Sequence, residues 1–131
     1  MEVAAFTFVA FAVVLAAFQI GLAMGAPWGA AAYGGLHRGK LPRRLRAVSA
    51  VAGFGVYPFV VLFVVGAAGL AETGLGRGPS SRVWLWVLAG FFAAGTVMNV
   101  ISRSKIERLW APVSLILGVC CVVVANGIPS P

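Results

Sequence analysis

Four uninterrupted apolar runs constrain this chain more than any other feature. They fall at about residues 3–24, 47–71, 83–101 and 109–126, and no Asp, Glu, Lys, Arg or His lies inside any of them. A bilayer core of about 30 Å takes roughly 20 apolar residues wound as a helix. Each run is long enough, and no strand-like alternation of apolar and polar residues argues for a β-barrel. Composition leads the same way. The chain is 61% apolar and only 10% charged, where a soluble domain carries about 25% charged residues. The polar surface needed to cover a water-exposed globule is absent. The expected fold class is an all-α membrane protein, a four-transmembrane-helix bundle forming a single domain over residues 1–131. The first run follows Met-Glu instead of a basic segment, and it exceeds the apolar core of a secretory signal, so it is expected to stay as a span.

Lys and Arg set the orientation. The first loop carries Arg38, Lys40, Arg43, Arg44 and Arg46, and the third carries Arg103, Lys105 and Arg108; the second carries only Arg77 and Arg82. Eight cations against two place loops one and three in the cytoplasm and both termini outside. Arg outnumbers Lys eight to two in a chain rich in Ala, Gly and Val, a composition of bacteria with GC-rich DNA. The expected location is a bacterial plasma membrane. The net charge of +7 sits beside apolar spans. Its expected partners are therefore anionic lipid headgroups and not nucleic acid.

The first loop, "GAPWGAAAYGGLHRGKLPRRLR", has its own internal logic. Gly25 suits the end of the first helix. Pro27 opens a short interfacial helix carrying Trp28 and Tyr33 at headgroup depth. Pro42 stands where the second helix begins, with "RRLR" as its first turn. Cations at a helix N-terminus oppose the macrodipole, and anionic lipid is the expected compensation. In the third loop, Ser104-x-x-Glu107 resembles a capping box. Arg103 and Arg108 flank Glu107 for an interfacial ion pair, and Trp110 and Pro112 open the fourth span.

Small residues mark helix interfaces in lipid. On the first span, Ala5, Ala12, Ala16, Gln19 and Ala23 share one side, expected to face inward. Phe8, Phe11, Leu15, Phe18 and Leu22 form a bulky arc expected to face lipid. Ala17-x3-Gly21-x3-Gly25 is a second row of small residues. Pro58, after Tyr57, should kink the second span. Trp84 and Trp86 suit the outer aromatic belt. Gln19 and Asn99 fall at similar depth and are expected to pair across helices. The alternative is that they line a polar cavity together with Tyr57.

The chemistry of an enzyme is missing. The single His37 reads as a solvated loop residue, and three scattered Glu build no metal site. No base stands beside a nucleophile, and no cofactor is expected. The adjacent Cys120 and Cys121 read as small packing residues. A proton-coupled exporter of the small multidrug type needs an acid in its first helix, where this chain has only Gln19. The expected function is a non-enzymatic structural, accessory or partner- and lipid-binding role, with a second copy of the chain or another membrane protein as the expected protein partner. A small oligomeric transporter or channel ranks second and a lipid-acting enzyme third.

Three segments, "GAPWG" at Gly25–Gly29, "GGLHRGKLPRRLR" at Gly34–Arg46 and "NVISRSKIERLWAP" at Asn99–Pro112, carry a resemblance. Together they resemble a group of small four-span integral membrane proteins of actinobacteria that have no known activity. The resemblance implies that the two cytoplasmic loops and the inner helix ends form the distinctive face; the residues expected to build that face are Trp28, His37, Arg38, Arg43, Arg44, Arg46, Asn99, Arg103, Glu107 and Trp110.

Overall fold

The computed structural model describes residues 1–129. Among them there is no strand, and four helices are long and apolar enough to cross a membrane: α1 (Glu2–Ala23), α2 (Arg43–Ala67), α3 (Ser81–Val100) and α4 (Trp110–Gly127). A 3-10 turn, Glu107–Leu109, leads into α4. Each helix starts and stops within about one turn of its predicted span.

Local chemistry explains the ends. Pro42 is extended (φ −63°, ψ 157°) and caps α2, so Arg43–Arg46 form its first turn as expected. Pro112 falls in the first turn of α4, where a backbone N–H would lack an intrahelical partner anyway. Pro58, the expected site of a kink, stands next to a change of winding. It cannot donate to the carbonyl four residues back, and the helix answers with a π turn over Ala52–Val56, in which the Tyr57 N–H bonds the Ala52 carbonyl. The disturbance becomes a wider turn within a continuous helix.

The helices form a row with one open side. α1 packs between α2 and α4, and α3 packs along α4, while α2 and α3 make no substantial contact. α4 is the central helix: 44% of its span is buried, against 17–22% for the other three. Phe8 of α1 meets Phe92 of α3 edge-on across the core, with ring centroids 5.8 Å apart, an arrangement that suits the ring quadrupoles. Leu85, Leu117, Cys121 and Val124 are fully buried around them, and both cysteines are free thiols.

The structure corrects the expected facing of α1. Phe8, Leu15 and Leu22 belong to the core, at 0%, 7% and 0% exposure, and do not face lipid. The buried positions Ala5, Phe8, Ala12, Leu15 and Leu22, with the partly buried Gln19, recur at alternating steps of three and four residues. That is the seam of left-handed helix packing. Small and large residues alternate along it, so each alanine leaves room for the neighbouring bulky side chain. Val3, Phe6, Val13 and Val14 are the exposed side. The row Ala17–Gly21–Gly25 makes no helix interface either. A Cβ on Gly21 would stand 2.2 Å from the Trp28 ring, so this glycine is the seat of a loop tryptophan.

Close backbone approach occurs instead at Gly53. A Cβ there would lie 3.0 Å from the Ile20 nitrogen and 3.1 Å from the Ala16 oxygen, whereas one on Gly55 would meet nothing within 4 Å. Gly53→Ala should therefore destabilise the protein by about 1–3 kcal/mol through overpacking. Gly55→Ala should be neutral or stabilise by up to about 1 kcal/mol through helix propensity. Thermal unfolding of the two variants in one detergent checks the contrast.

Candidate functional site

Loops one and three lie at the same end of the row and are locked to each other. One oxygen of Glu107 accepts the Gly34 N–H at 3.0 Å, and the other accepts the Ser102 hydroxyl. The Ser104 hydroxyl donates to the Ala30 carbonyl, and Trp110 Nε1 donates to the Ala31 carbonyl at 3.1 Å. Apart from the Ser102 hydroxyl bond, each serves a loop-one backbone group that no helix or strand satisfies. The Glu107 N–H also reaches Ser104 Oγ at 3.4 Å. That is one half of the expected capping box; the carboxylate has left the other half to reach across to loop one. The expected ion pair is corrected as well. Neither Arg103 nor Arg108 pairs with Glu107, and Arg108 Nε donates to the Ser102 carbonyl at 2.8 Å. Glu107 is 9% exposed. There, backbone and hydroxyl donors supply what a carboxylate needs in place of water.

Loop one is shaped to receive this clasp. In place of the expected interfacial helix it forms two single 3-10 turns, Gly29–Ala31 and Tyr33–Gly35. Tyr33, Gly34 and Gly35 are all left-handed, at φ 50°, 76° and 70°. For Tyr33 this costs about 1–2 kcal/mol. Its hydroxyl is held 2.8 Å from Ser49 Oγ, fully buried on α2. Gly29 fits because a Cβ would fall 1.9 Å from the His37 carbonyl oxygen. The Trp28 ring stacks on Phe18 at 6.0 Å, and Trp110 lies against the other side of the cluster, 4.6 Å from Phe18.

The cations divide by task. Arg46 Nε donates to the Ala23 carbonyl at 3.0 Å. It thereby caps the negative end of α1 and relieves its own unfavourable place at the start of α2. Arg38, Lys40, Arg43, Arg44, Arg103, Lys105 and Arg108 are exposed, as is His37. Between the two loops, Arg38, Arg103 and Lys105 border a groove of about 540 Å³, with Leu36 and Ile106 at its edge.

A second recess, of about 180 Å³, lies beneath the clasp. Gln19, Tyr57, Asn99, Glu107, Trp110 and Ser114 contribute to its wall. The predicted Gln19–Asn99 pair does not form. Asn99 Nδ2 donates to Ser114 Oγ at 3.2 Å, and the buried Gln19 Oε1 has no hydrogen-bond partner. The three intramembrane polar residues singled out in the sequence thus share one recess without bonding each other. Sequence reading missed Ser49 and Ser114, whose partners Tyr33 and Asn99 lie in other elements, and Ser102, which bonds Glu107 within loop three. Only the left-handed "YGG" carried a local signal.

Among the described residues, no group of three or more His, Cys, Asp or Glu side chains could hold a metal ion. No protein-family model, curated protein or solved structure matches this chain.

Glu107→Ala should release loop one by leaving the Gly34 N–H and the Ser102 hydroxyl without their acceptor, at about 1–3 kcal/mol for the buried hydroxyl and less for the part-buried amide. The Gly34 amide would then exchange with deuterium much faster than in the unsubstituted protein, and a mass-spectrometric exchange time course reads this directly.

Proposed function

We propose that this chain is a non-enzymatic, multi-pass protein of a bacterial plasma membrane, with both termini extracytoplasmic, whose basic end binds anionic lipid headgroups and thereby presents a rigid face to a membrane partner or a second copy. One observation carries the reading. Loops one and three hold eight cations and one acid, and that acid, Glu107, is turned inward and bonded to neutral groups. Seven of the eight cations stay exposed, and among the described residues no ion pair holds any of them. Near an anionic leaflet each contributes about 1 kcal/mol of attraction. The Arg38–Arg103–Lys105 groove supports the reading further. It offers cations for a phosphate and exposed Leu36 and Ile106 for the apolar part of a lipid.

A second reading, a small oligomeric transporter, is favoured by the recess that Gln19, Tyr57 and Asn99 share. Solute flux into liposomes containing the purified protein, abolished by Asn99→Leu, would support it over the first.

For the first reading, phosphatidylglycerol added to protein in mild detergent should raise the thermal midpoint by several degrees, and phosphatidylcholine should not. The rise should shrink in about 0.5 M salt, as screening requires. It should disappear when Arg38, Arg103 and Lys105 are replaced by Ala. An equal rise with both lipids would end the proposal. Orientation has a separate measurement. A cysteine at position 40, in a chain with Cys120 and Cys121 replaced by Ala, should escape a membrane-impermeant thiol reagent in intact cells.

A further inference from the structure

The open side of the helix row carries a second site, separate from the basic end. α2 and α3 do not pack together, and the gap between them holds two recesses. One is the polar recess under the clasp, with Tyr57 on α2 and Asn99 on α3. The other lies further along both helices, toward the start of α3, is almost wholly apolar, measures about 250 Å³, and is lined by Phe59, Val60, Phe63, Trp84 and Leu88. One end of the cleft is therefore polar, and the other suits only hydrocarbon.

The polar end has a definite preference. No Lys, Arg or His lines it. It offers the Glu107 carboxylate and the aromatic side chains of Phe18, Tyr33, Tyr57 and Trp110. It also holds Gln19 Oε1, a buried acceptor that no donor in the chain satisfies. Such an orphan in a buried polar site asks for a donor from outside. Aromatic faces beside a carboxylate favour a cation, above all an ammonium. The recess far exceeds the ~10–15 Å³ that one water requires, yet falls short of the ~300 Å³ at which drug-sized pockets begin. A compact headgroup fits that range.

We propose that the α2–α3 cleft binds an amine-headed lipid, its primary ammonium donating to Gln19 Oε1 beside Glu107 and its acyl chain lying along Phe59, Phe63 and Leu88. The cleft opens between the two helices, so a lipid enters sideways from the bilayer without crossing the clasp. The π turn lies immediately before Tyr57 and sets where that residue stands on the cleft wall.

The protein is reconstituted in vesicles of equal parts phosphatidylethanolamine, phosphatidylcholine and phosphatidylglycerol and extracted in mild detergent. Native mass spectrometry then reads the retained lipid. Phosphatidylcholine carries an ammonium without an N–H, so preference for phosphatidylethanolamine reports donation to Gln19. One phosphatidylethanolamine per chain is expected, favoured about fivefold over phosphatidylcholine, as one hydrogen bond allows. Gln19→Leu should lower that retention about fivefold, and Glu107→Gln should lower it by a similar factor. Tyr57→Leu, placed away from the clasp, should also lower it and serves if the Glu107 variant unfolds. Replacing Arg38, Arg103 and Lys105 by Ala should remove phosphatidylglycerol and leave phosphatidylethanolamine unchanged. Failure at the basic end is thus distinguishable from failure here. Equal retention of the two zwitterionic lipids, or full phosphatidylethanolamine retention by the Gln19→Leu variant, overturns the proposal.

Discussion

Hydrocarbon offers a peptide group no hydrogen-bond partner, so every backbone N–H and carbonyl within a bilayer must find one in its own chain. Helices meet that demand along their length, and the difficulty moves to their ends and interruptions. Here those are the places where side chains reach furthest. Arg46 closes the end of α1 at Ala23. Trp110 and Ser104 serve the carbonyls of Ala31 and Ala30 in the turns of loop one, and Glu107 serves the Gly34 amide. Where Pro58 withdraws a donor, the helix re-registers its bonds. Together these steps make the end that carries loops one and three an ordered platform.

That platform separates charge by sign. Carboxylate and cations lie in neighbouring sequence, yet the fold sends one inward and the others out. A pairing of Glu107 with Arg103 or Arg108 would have cancelled charge at the surface and contributed little stability in exchange for ordering two long side chains. Facing inward, Glu107 gains donors from Gly34 and Ser102, and the surface keeps its full positive potential. The same carboxylate forms part of the polar recess below. One residue thereby contributes to loop docking, to surface potential and to the lining of the cleft.

The spans, their order and the role of Pro42 were legible because each depends on local composition. Twenty apolar residues make a helix in lipid whatever surrounds them. The clasp was not legible, since its partners stand 73 to 79 residues apart and Ser104 and Glu107 already had a sufficient local reading as a capping box. Half of that box survives, so the local rule was sound and a tertiary donor outcompeted it. The facing of α1 was misread because small residues were weighted above spacing. The three-four rhythm from Ala5 to Leu22 was present in the sequence, and it includes Phe8 and Leu15 as readily as Ala12. Gln19 and Asn99 do line one recess, but the bond expected between them is absent and Asn99 bonds Ser114 instead. Ser114 lies on a helix whose rotation no one-dimensional pattern specified.

The wide turn in α2 has one geometric consequence. Setting aside Gly66, which is buried against loop two, the buried residues Ser49, Gly53, Val60 and Val64 recur more slowly than an α-helix turns, so at 100° per residue an unbroken helix would carry the last of them roughly 60° beyond the first. A turn closed by a bond five residues back holds more residues than an α turn and rotates less for each. It unwinds that drift. The hydroxyl that meets Tyr33 near the start of α2 and the valines that meet the core further along are thereby kept on a single wall, so an apparent flaw in the winding is what keeps the helix facing one way from end to end.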